Sequence, residues 1–364
     1  MREEIYERAI DKILTRVPDG VEWRIMEVCG THTMSIARMG IKNLLKGKIK
    51  LVSGPGCPVC VTADSDLSIA IKISRTPGII VTTFGDMMRV PSNGTSLAAT
   101  VAEGSDVRVV YSPEDALKIA IENPEKEIVF IAVGFETTAP AIAAILILAK
   151  EKRIENFSIL SMLKTIPNAL EFILKSPEFN IDGLILPGHV STIIGSRPYE
   201  FIPEKYDVPA VITGFGDPDI LDGLLSLTEI ISQKKPALKN SYNRAVPSYG
   251  NKTALSIIEK VFEQSSANWR GIGSLENSGL VLRDSFAEFD AQKKFANHIE
   301  SYEIVSHEPA NCRCGEVIMG KITPRECPLF AVICEPGNPI GPCMVSSEGA
   351  CAAEYKYGLL DDNR

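Results

Sequence analysis

The chain has 364 residues, which is too long for one small core, so two or three domains are expected. Its net charge of −8, without a basic run, argues against nucleic acid as a partner. No apolar run reaches the roughly 18 residues of a membrane-spanning helix, and the charged residues 1–8 lack the apolar stretch of a signal peptide. We therefore expect a cytoplasmic protein with no membrane partner, whose nine cysteines serve metal binding or redox chemistry rather than a disulfide framework.

Short apolar runs alternate with amphipathic segments along most of the chain. Helices are predicted at 1–18, 34–45, 64–74, 113–122, 139–150, 166–175, 217–233 and 251–266. Strands are predicted at 23–28, 50–53, 78–84, 107–111, 128–133, 157–162, 181–186 and 210–213. Near-continuous apolar strands between helices indicate parallel sheets covered on both faces. The sequence therefore predicts an α/β fold with two doubly wound parallel-sheet lobes, at 1–150 and 151–235, and a cysteine-rich C-terminal domain at 236–364.

Three cysteines and one histidine follow the first two predicted strands. Cys29 and His32 lie in the motif MEVCGTH at 26–32, and Cys57 and Cys60 lie in GPGCPVC at 54–60. Open α/β sheets carry their chemistry at the carboxyl ends of strands. A C-x-x-C pair is typical of a redox couple or of half a metal site, and Cys29 is a candidate iron ligand or nucleophile with His32 as its base or supporting partner. The alternative for Cys29 and His32 is a buried cysteine and a histidine satisfied by backbone groups.

Four polar residues follow other predicted strands. They are Asp86, Glu136, Thr137 and His189. We expect Glu136, Thr137 and His189 to face one cleft between the lobes, where they position a ligand or move protons. The alternative is that Thr137 caps a helix and Asp86 is a satisfied turn residue.

The C-terminal part carries six cysteines between 312 and 351, surrounded by Gly and Pro. Four thiolates satisfy either a structural Zn²⁺ or a [4Fe–4S] cluster. Zinc sites usually come as paired C-x₂₋₄-C knuckles, whereas Cys327, Cys334, Cys343 and Cys351 are more widely spaced. The spacing favours an iron–sulfur domain, with zinc and cysteines that bind no metal as the alternatives.

Together these motifs resemble the hydrogenase maturation factor HypD family. The resemblance rests on the two N-terminal motifs and on FGDMMRVP at 84–91, GFETT at 134–138, PGHVS at 187–191, CRCGE at 312–316 and CMVSSEGAC at 343–351. These blocks follow the family order over nearly the whole chain. One departure is visible: many members read Cys-Gly-x-His-x-His, and Met34 replaces the second histidine here.

The resemblance implies a scaffold that helps to build the Fe(CN)₂CO unit of [NiFe]-hydrogenase, with the small chaperone HypC and the cyanide donor HypE as partners. It implies that Cys29, as a low-pKa thiolate, holds the transient iron centre together with a HypC cysteine. Cys57 and Cys60 look like redox-active thiols that exchange electrons with a C-terminal [4Fe–4S] cluster, much as in ferredoxin–thioredoxin reductases.

For the cluster ligands we favour Cys314, Cys327, Cys334 and Cys351, with Cys312 and Cys343 as substitutes. His32, Asp86, Glu136, Thr137 and His189 fall in the family's cleft motifs.

Two other functions stay open at this point. A stand-alone iron–sulfur thiol–disulfide reductase acting on proteins explains Cys57, Cys60 and the C-terminal cysteines but leaves Cys29 without a role. A zinc-stapled binding module explains only the C-terminal cysteines. A radical-SAM enzyme and a nucleotide-binding protein are disfavoured, because C-x₃-C-x₂-C, G-x-G-x-x-G and G-x₄-G-K-[ST] are absent from the sequence.

Overall fold

The computed structural model describes residues 2–300 and 311–358. In chain order its strands are β1 (Trp23–Glu27), β2 (Ile49–Ser53), β3 (Ile79–Thr83), β4 (Asp106–Val109), β5 (Glu127–Gly134), β6 (Phe157–Leu163), β7 (Gly183–Pro187), β8 (Ala210–Thr213), β9 (Leu238–Asn240), β10 (Phe262–Trp269) and β11 (Gly273–Leu282). They form a five-stranded parallel sheet of order β2-β1-β7-β8-β9, a four-stranded parallel sheet of order β4-β3-β5-β6, and the antiparallel hairpin β10-β11.

Helices connect the strands and make up much of the C-terminal segment. They are α1 (Arg2–Arg16), α2 (Gly30–Arg38), α3 (Ile41–Leu44), α4 (Pro58–Val61), α5 (Asp64–Ser74), α6 (Leu97–Ala102), α7 (Pro113–Glu122), α8 (Ala139–Glu151), α9 (Ile166–Leu174), α10 (Gly188–Ile194), α11 (Phe201–Tyr206), α12 (Asp217–Gln233), α13 (Lys252–Val261), α14 (Ala291–Lys294), α15 (Ala296–Glu300), α16 (Cys314–Ile318), α17 (Pro342–Val345) and α18 (Ala350–Ala353). Residues 311–358 contain short helices and turns but no strand.

The predicted α/β class and the two parallel sheets are confirmed. In each sheet the second strand along the chain lies on one side of the first, and the third lies on the other side. The order therefore reverses between β1 and β7 in one sheet and between β3 and β5 in the other. Such switch points leave a crevice at the carboxyl ends of the strands, where open α/β sheets bind ligands.

The two sheets do not follow the predicted limits of the lobes. Strands β1 and β2, from the range 1–150, share a sheet with β7 and β8, from 151–235, through the pairing of Met26 with Leu184. The four-stranded sheet is inserted between them in the chain. Most of these strands are similarly apolar, so the local pattern carries little information on which sheet each joins.

Three apolar layers hold the sheets together. Residues of α1 and α12, including Ile13 and Leu224, cover one face of the five-stranded sheet, and residues of α7, α8 and the hairpin cover one face of the four-stranded sheet. The largest layer lies between the two sheets and includes Cys57, Cys60 and the buried C-terminal cysteines. The sulfur-bearing segments are thus part of the central core.

Two predicted helices differ from the structure. The helix predicted at 34–45 is divided by Gly40, whose φ of +66° ends α2 and precedes α3. The helix predicted at 251–266 ends at Val261, and the chain continues as β10, because Phe262 and Trp269 are buried in contact with β11 and the core while the residues between them mostly face solvent.

Candidate functional site

Cys29 lies just beyond the carboxyl end of β1 as the N-cap residue of α2. A Cβ on Gly56 would lie 2.4 Å from the Cys29 Cα, so only glycine fits at this contact. The Gly30 amide donates to the Gly56 carbonyl over 3.0 Å. The loops that carry Cys29 and the Cys57–Cys60 pair are therefore packed backbone against backbone.

The Cys29 thiol is not the low-pKa thiolate that we expected. Burial raises its pKa to about 11, and hydrogen bonds from the His32 and Thr31 amides only partly oppose this effect. The isolated thiol is therefore protonated at neutral pH. A metal ion that binds it must displace the proton.

A cleft of about 370 Å³ opens between the carboxyl ends of the two sheets. Its wall includes Cys29 and His189 from the five-stranded sheet, Phe135, Thr137 and Thr138 from the four-stranded sheet, and Glu348 from the C-terminal segment. The structure brings three of the predicted residues, Cys29, Thr137 and His189, together in this cleft.

His32 lies beneath this cleft and does not line it. The Phe215 ring is sandwiched between two imidazoles, with centroid distances of 4.5 Å to His32 and 3.8 Å to His189. The His32 Nε2 is 2.9 Å from the Gly214 carbonyl oxygen, and Nδ1 has no hydrogen-bond partner in the described part of the chain. Burial lowers the pKa of His32 to about 4, so its ring is neutral and supports the stack.

Cys57 and Cys60 form a disulfide. Cys57 is the N-cap residue of α4, and its sulfur accepts the Cys60 amide over 3.1 Å. The Cys60 sulfur lies 3.9 Å from the Pro342 carbonyl oxygen. A narrow space of about 10 Å³ separates this pair from Cys343. The disulfide is therefore adjacent to the C-terminal cysteine segment.

The six C-terminal cysteines all line one space, which we call the sulfur cavity: Cys312, Cys314, Cys327, Cys334, Cys343 and Cys351. Burial, followed by the charge of Cys314, raises the pKa of Cys312 to about 12. The pKa of Cys343 is raised by hydrogen-bond contact with the thiols of Cys314 and Cys351. Thiolates at such close range repel each other, and a bound cation relieves that repulsion.

The donor set of the sulfur cavity fits an iron–sulfur cluster. Apolar side chains such as Phe330 and Met344 surround the thiols, and the Ile340 amide lies 3.4 Å from the Cys334 sulfur, as suits a cluster tuned by N–H donors. The space measures about 10 Å³, and no group of three or more His, Cys, Asp or Glu among residues 2–300 and 311–358 has metal-holding geometry. That volume suits about one water, so the thiols must move apart around any cluster.

The choice of ligands remains a prediction. Burial and the charges of Cys351 and Cys327 raise the pKa of Cys334. The charges of Cys327 and Cys351 also act on Cys312, so Cys312 is close enough to replace Cys314 as the fourth ligand of a cluster.

Asp86 does not line the cleft. It lies in the turn after β3, and its Oδ2 accepts hydrogen bonds from the Ser346 hydroxyl over 3.0 Å and from the Ser347 amide over 3.1 Å. Its observed contact is therefore an anchor for the C-terminal segment. The alternative of a satisfied turn residue describes this position better than a proton carrier.

Glu136 faces away from the cleft, although its neighbours Phe135 and Thr137 line it. Its side chain lines a second cavity of about 560 Å³. Oε1 accepts the Ile166 amide over 2.9 Å, and Oε2 is buried without a hydrogen-bond partner among the described residues. Burial raises the pKa of Glu136 to about 7. The expectation that Glu136 shares a cleft with His189 is therefore wrong.

A model of the HypD family, described as a hydrogenase formation hypA family, matches residues 4–358. The chain belongs to the HypD family. It is similar to hydrogenase maturation factor HypD of Azotobacter vinelandii, with 44% identity over 344 residues that cover 93% of this chain and 90% of the relative. HypD of Cupriavidus necator is 42% identical over 367 residues, with 99% and 96% covered. A putative hydrogenase expression/formation protein of Methanocaldococcus jannaschii is 41% identical over 353 residues, with 97% of each chain covered.

The resemblance to the HypD family is thus confirmed, and membership places the chain among proteins of hydrogenase formation. In this HypD-family chain Met34 lies half-buried on α2 and is not part of the cleft wall. No helix in the described ranges is long and apolar enough to cross a membrane.

Sequence reasoning missed one residue that lines the HypD-family cleft and one that supports it. Phe215 stacks between the histidines, and Glu348 lines the cleft and accepts a hydrogen bond from the Thr31 hydroxyl over 2.7 Å. Phe215 lies two residues beyond the end of β8, so its strand-end position was an available signal. Glu348 lies in the SSEG run between Cys343 and Cys351, and tertiary contacts with Gly30 and Thr31, which the local sequence does not encode, bring it to the cleft.

Proposed function

We propose that the chain is a scaffold in [NiFe]-hydrogenase maturation that holds iron at Cys29 while CN and CO ligands are installed. In this proposal the iron is cargo, the chaperone HypC supplies a second cysteine, and HypE donates cyanide. The observation that carries the proposal is the position of Cys29. Among the described cysteines it is the one that lines the cleft at the switch point, where a second protein can reach it.

The residues around Cys29 suit such a cargo. Thiolate sulfur is a soft ligand that matches low-spin iron carrying CN⁻ and CO. Because Cys29 is protonated when empty, iron is retained only when binding displaces that proton. His189 and Thr137 place polar groups on the cleft wall, where they orient small ligands, while Phe215 and neutral His32 keep the His189 ring in place.

The Cys57–Cys60 pair is proposed as the redox partner of this site. Reduction of the disulfide consumes two electrons and two protons and yields two thiols. A [4Fe–4S] cluster held in the sulfur cavity by Cys314, Cys327, Cys334 and Cys351, with Cys312 and Cys343 as alternatives, supplies single electrons when bound. The proximity of Cys343 to the disulfide supports this arrangement.

Metal analysis of the HypC complex tests the assignment of Cys29. Iron and acid-labile sulfide are measured on anaerobically purified wild type, Cys29→Ala and the double variant Cys57→Ala/Cys60→Ala. We expect Cys29→Ala to lose the iron present in excess of sulfide and to keep the sulfide. Excess iron that survives in Cys29→Ala would contradict the proposal. Zinc without sulfide would instead support the zinc-stapled module.

A stand-alone thiol–disulfide reductase is the second candidate, and the disulfide beside the sulfur cavity is the observation that favours it. The Cys29→Ala variant separates the two functions, because a pure reductase keeps its activity on protein disulfides without Cys29. Full reductase activity in that variant, together with wild type that carries no excess iron, would favour the reductase.

A further inference from the structure

The hairpin turn at residues 270–272, which we call the spacer turn, contacts the segment that follows the disulfide. The Arg270 amide donates to the Val61 carbonyl over 3.0 Å, and its Nε donates to the Thr62 carbonyl over 3.0 Å. Thr62 and Trp269 form an isolated antiparallel bridge at the same place. The turn is therefore attached by backbone groups to the end of α4, one residue beyond Cys60.

The other side of the spacer turn contacts the C-terminal cysteine segment. A Cβ on Gly271 would lie 2.1 Å from the Gly315 Cα, and a Cβ on Gly315 would lie 2.5 Å from the Gly271 Cα. Gly315 directly follows Cys314 in α16. Because neither glycine has a Cβ, the backbone of the turn and the backbone of α16 can lie in direct contact.

A buried ion pair fixes the turn in this position. Arg270 is 3% exposed, and its guanidinium lies 3.6 Å from Asp64 at the start of α5. Apart from that pair, neither Asp64 carboxylate oxygen has a hydrogen-bond partner among the described residues. Such a buried pair adds little net stability compared with apolar side chains, and here it links the spacer turn to the start of α5.

We infer that the spacer turn sets the separation between the Cys57–Cys60 pair and the C-terminal cysteines. Arg270 and Gly271 are then positioning residues for electron exchange. The inference rests on the proposed function, in which the pair receives electrons from an iron–sulfur centre. The step is balanced when the disulfide takes two electrons and two protons, and a one-electron reductant such as dithionite recharges the centre after each transfer.

The two neighbouring glycines of the hairpin provide a matched pair of variants. Gly271→Ala pushes a Cβ into Gly315, whereas a Cβ on Gly273 would have no atom within 4 Å. Their φ angles are +70° and +99°, so alanine is strained at both positions and at least as much at the control. Only Gly271→Ala is expected to separate α16 from the end of α4.

The test uses anaerobically purified full-length protein with its cluster. Dithionite is added, thiols are trapped by alkylation, and the reduced fraction of Cys57–Cys60 is followed by mass spectrometry. Because small misplacements strongly slow intramolecular reactions, we expect Gly271→Ala to reduce the disulfide about 10- to 100-fold more slowly than wild type. Gly273→Ala should match wild type, and reduction by an external dithiol should be equal in all three proteins.

A second variant and a second measurement guard against a misfolded Gly271→Ala. Arg270→Lys keeps the charge but loses the Nε donor to Thr62, so it should slow dithionite reduction relative to wild type, by less than Gly271→Ala does, and weaken exchange protection of the position 270 amide. These two effects support the spacer even where Gly271→Ala loses its cluster.

Two failures are distinguishable. Equal dithionite rates in wild type and in a Cys327→Ser protein whose acid-labile sulfide is lost would overturn electron exchange itself and the proposed redox role. The wild-type rate of disulfide reduction could instead depend on the cluster and stay the same in both Gly271→Ala and Arg270→Lys. That result would overturn only the inference that the spacer turn sets the separation.

Discussion

Cys29 stands at the end of a five-stranded sheet, whereas the C-terminal cysteines belong to a segment, 311–358, that contains no strand. The sheet fixes the Cys29 loop through backbone pairing that needs no metal. The C-terminal segment instead packs its buried cysteines into the core between the sheets, and contacts such as Asp86 with Ser346 and Gly30 with Glu348 join it to the strand-end loops. We therefore expect the cleft to be a preformed site, whereas the sulfur cavity, where six cysteines line a space of about 10 Å³, should change its structure with what its thiols bind.

The largest expected effect is the response of the two regions to loss of a cluster ligand. Cys327→Ser should lose nearly all acid-labile sulfide and become sensitive to proteolysis within 311–358, because metal binding and local folding are coupled. Far-ultraviolet circular dichroism should keep the sheet and helix signal. The control Cys29→Ser should retain the sulfide and the protease resistance. Unfolding of the whole chain in Cys327→Ser would show that the sheets and the segment 311–358 do not respond separately to loss of the cluster.

The Glu136 carboxyl predicts a pH-dependent stability of the sheet region. Its pKa is raised by burial from 4.5 to about 7 in the folded state, so the folded chain holds the proton more tightly than the unfolded chain between these values. Stability is therefore lost as pH rises from about 4.5 to about 7. Glu136→Gln should be more stable than wild type by about 3 kcal/mol at pH 8 and by little near pH 4.

Urea unfolding of wild type and Glu136→Gln at several pH values measures this difference. Glu259→Gln changes an exposed carboxylate on the same cavity and serves as the control, with no pH-dependent gain expected. An equal gain in the free energy of unfolding at pH 4 and pH 8 would show that the raised pKa of Glu136 is not its cause.

The close backbone contact between Gly56 and Cys29 allows a direct test of whether the Cys29 loop is preformed. Gly56→Ala places a methyl group 2.4 Å from the Cys29 Cα, so we expect roughly 1–3 kcal/mol of destabilisation and faster alkylation of Cys29. At Gly85 the added Cβ would meet only a Val109 methyl at 3.7 Å, so Gly85→Ala should change neither quantity. Equal behaviour of the two variants in thermal unfolding would show that the loop is not tightly fixed.

The smallest expected effect concerns the anchor of the C-terminal segment. Asp86→Ala removes the acceptor for Ser346 and Ser347 and should cost about 1–2 kcal/mol in local opening of 346–348, measured by hydrogen exchange. Asp106→Ala breaks only an exposed pair with Arg108 and should have little effect on that exchange. Unchanged hydrogen-exchange protection of 346–348 in Asp86→Ala would show that Asp86 does not anchor the C-terminal segment.

The sequence predicted which residues lie at the ends of strands better than it predicted which strands pair in each sheet. Cys29, Thr137 and His189 each follow an apolar strand, and that local signal correctly placed them at the sheet edge. The pairing of β1 with β7 depends on contacts far apart in the chain, which no local pattern encodes. The prediction for Glu136 was wrong for a different reason. Its two neighbours, Phe135 and Thr137, line the cleft, but the Glu136 side chain points the other way and lines the second cavity.

The C-terminal cysteines show the same limit. Their number and spacing indicated a sulfur-rich metal site, and the structure gathers all six around one space. Which thiols come closest depends on turns and on contacts with other segments, such as Gly349 against the Cys343 carbonyl. Spacing alone therefore left the ligand set open.

The central claim is that Cys29 holds an iron centre carrying CN and CO. Infrared spectroscopy of the protein, co-expressed with HypC and purified anaerobically, tests it most directly in the CN and CO stretching region. If Cys29 holds this iron centre, bands from both ligands should appear in wild type and disappear in Cys29→Ala. Bands that persist in Cys29→Ala, or wild type without bands despite an intact cluster absorbance and a titratable Cys57–Cys60 couple, would contradict it.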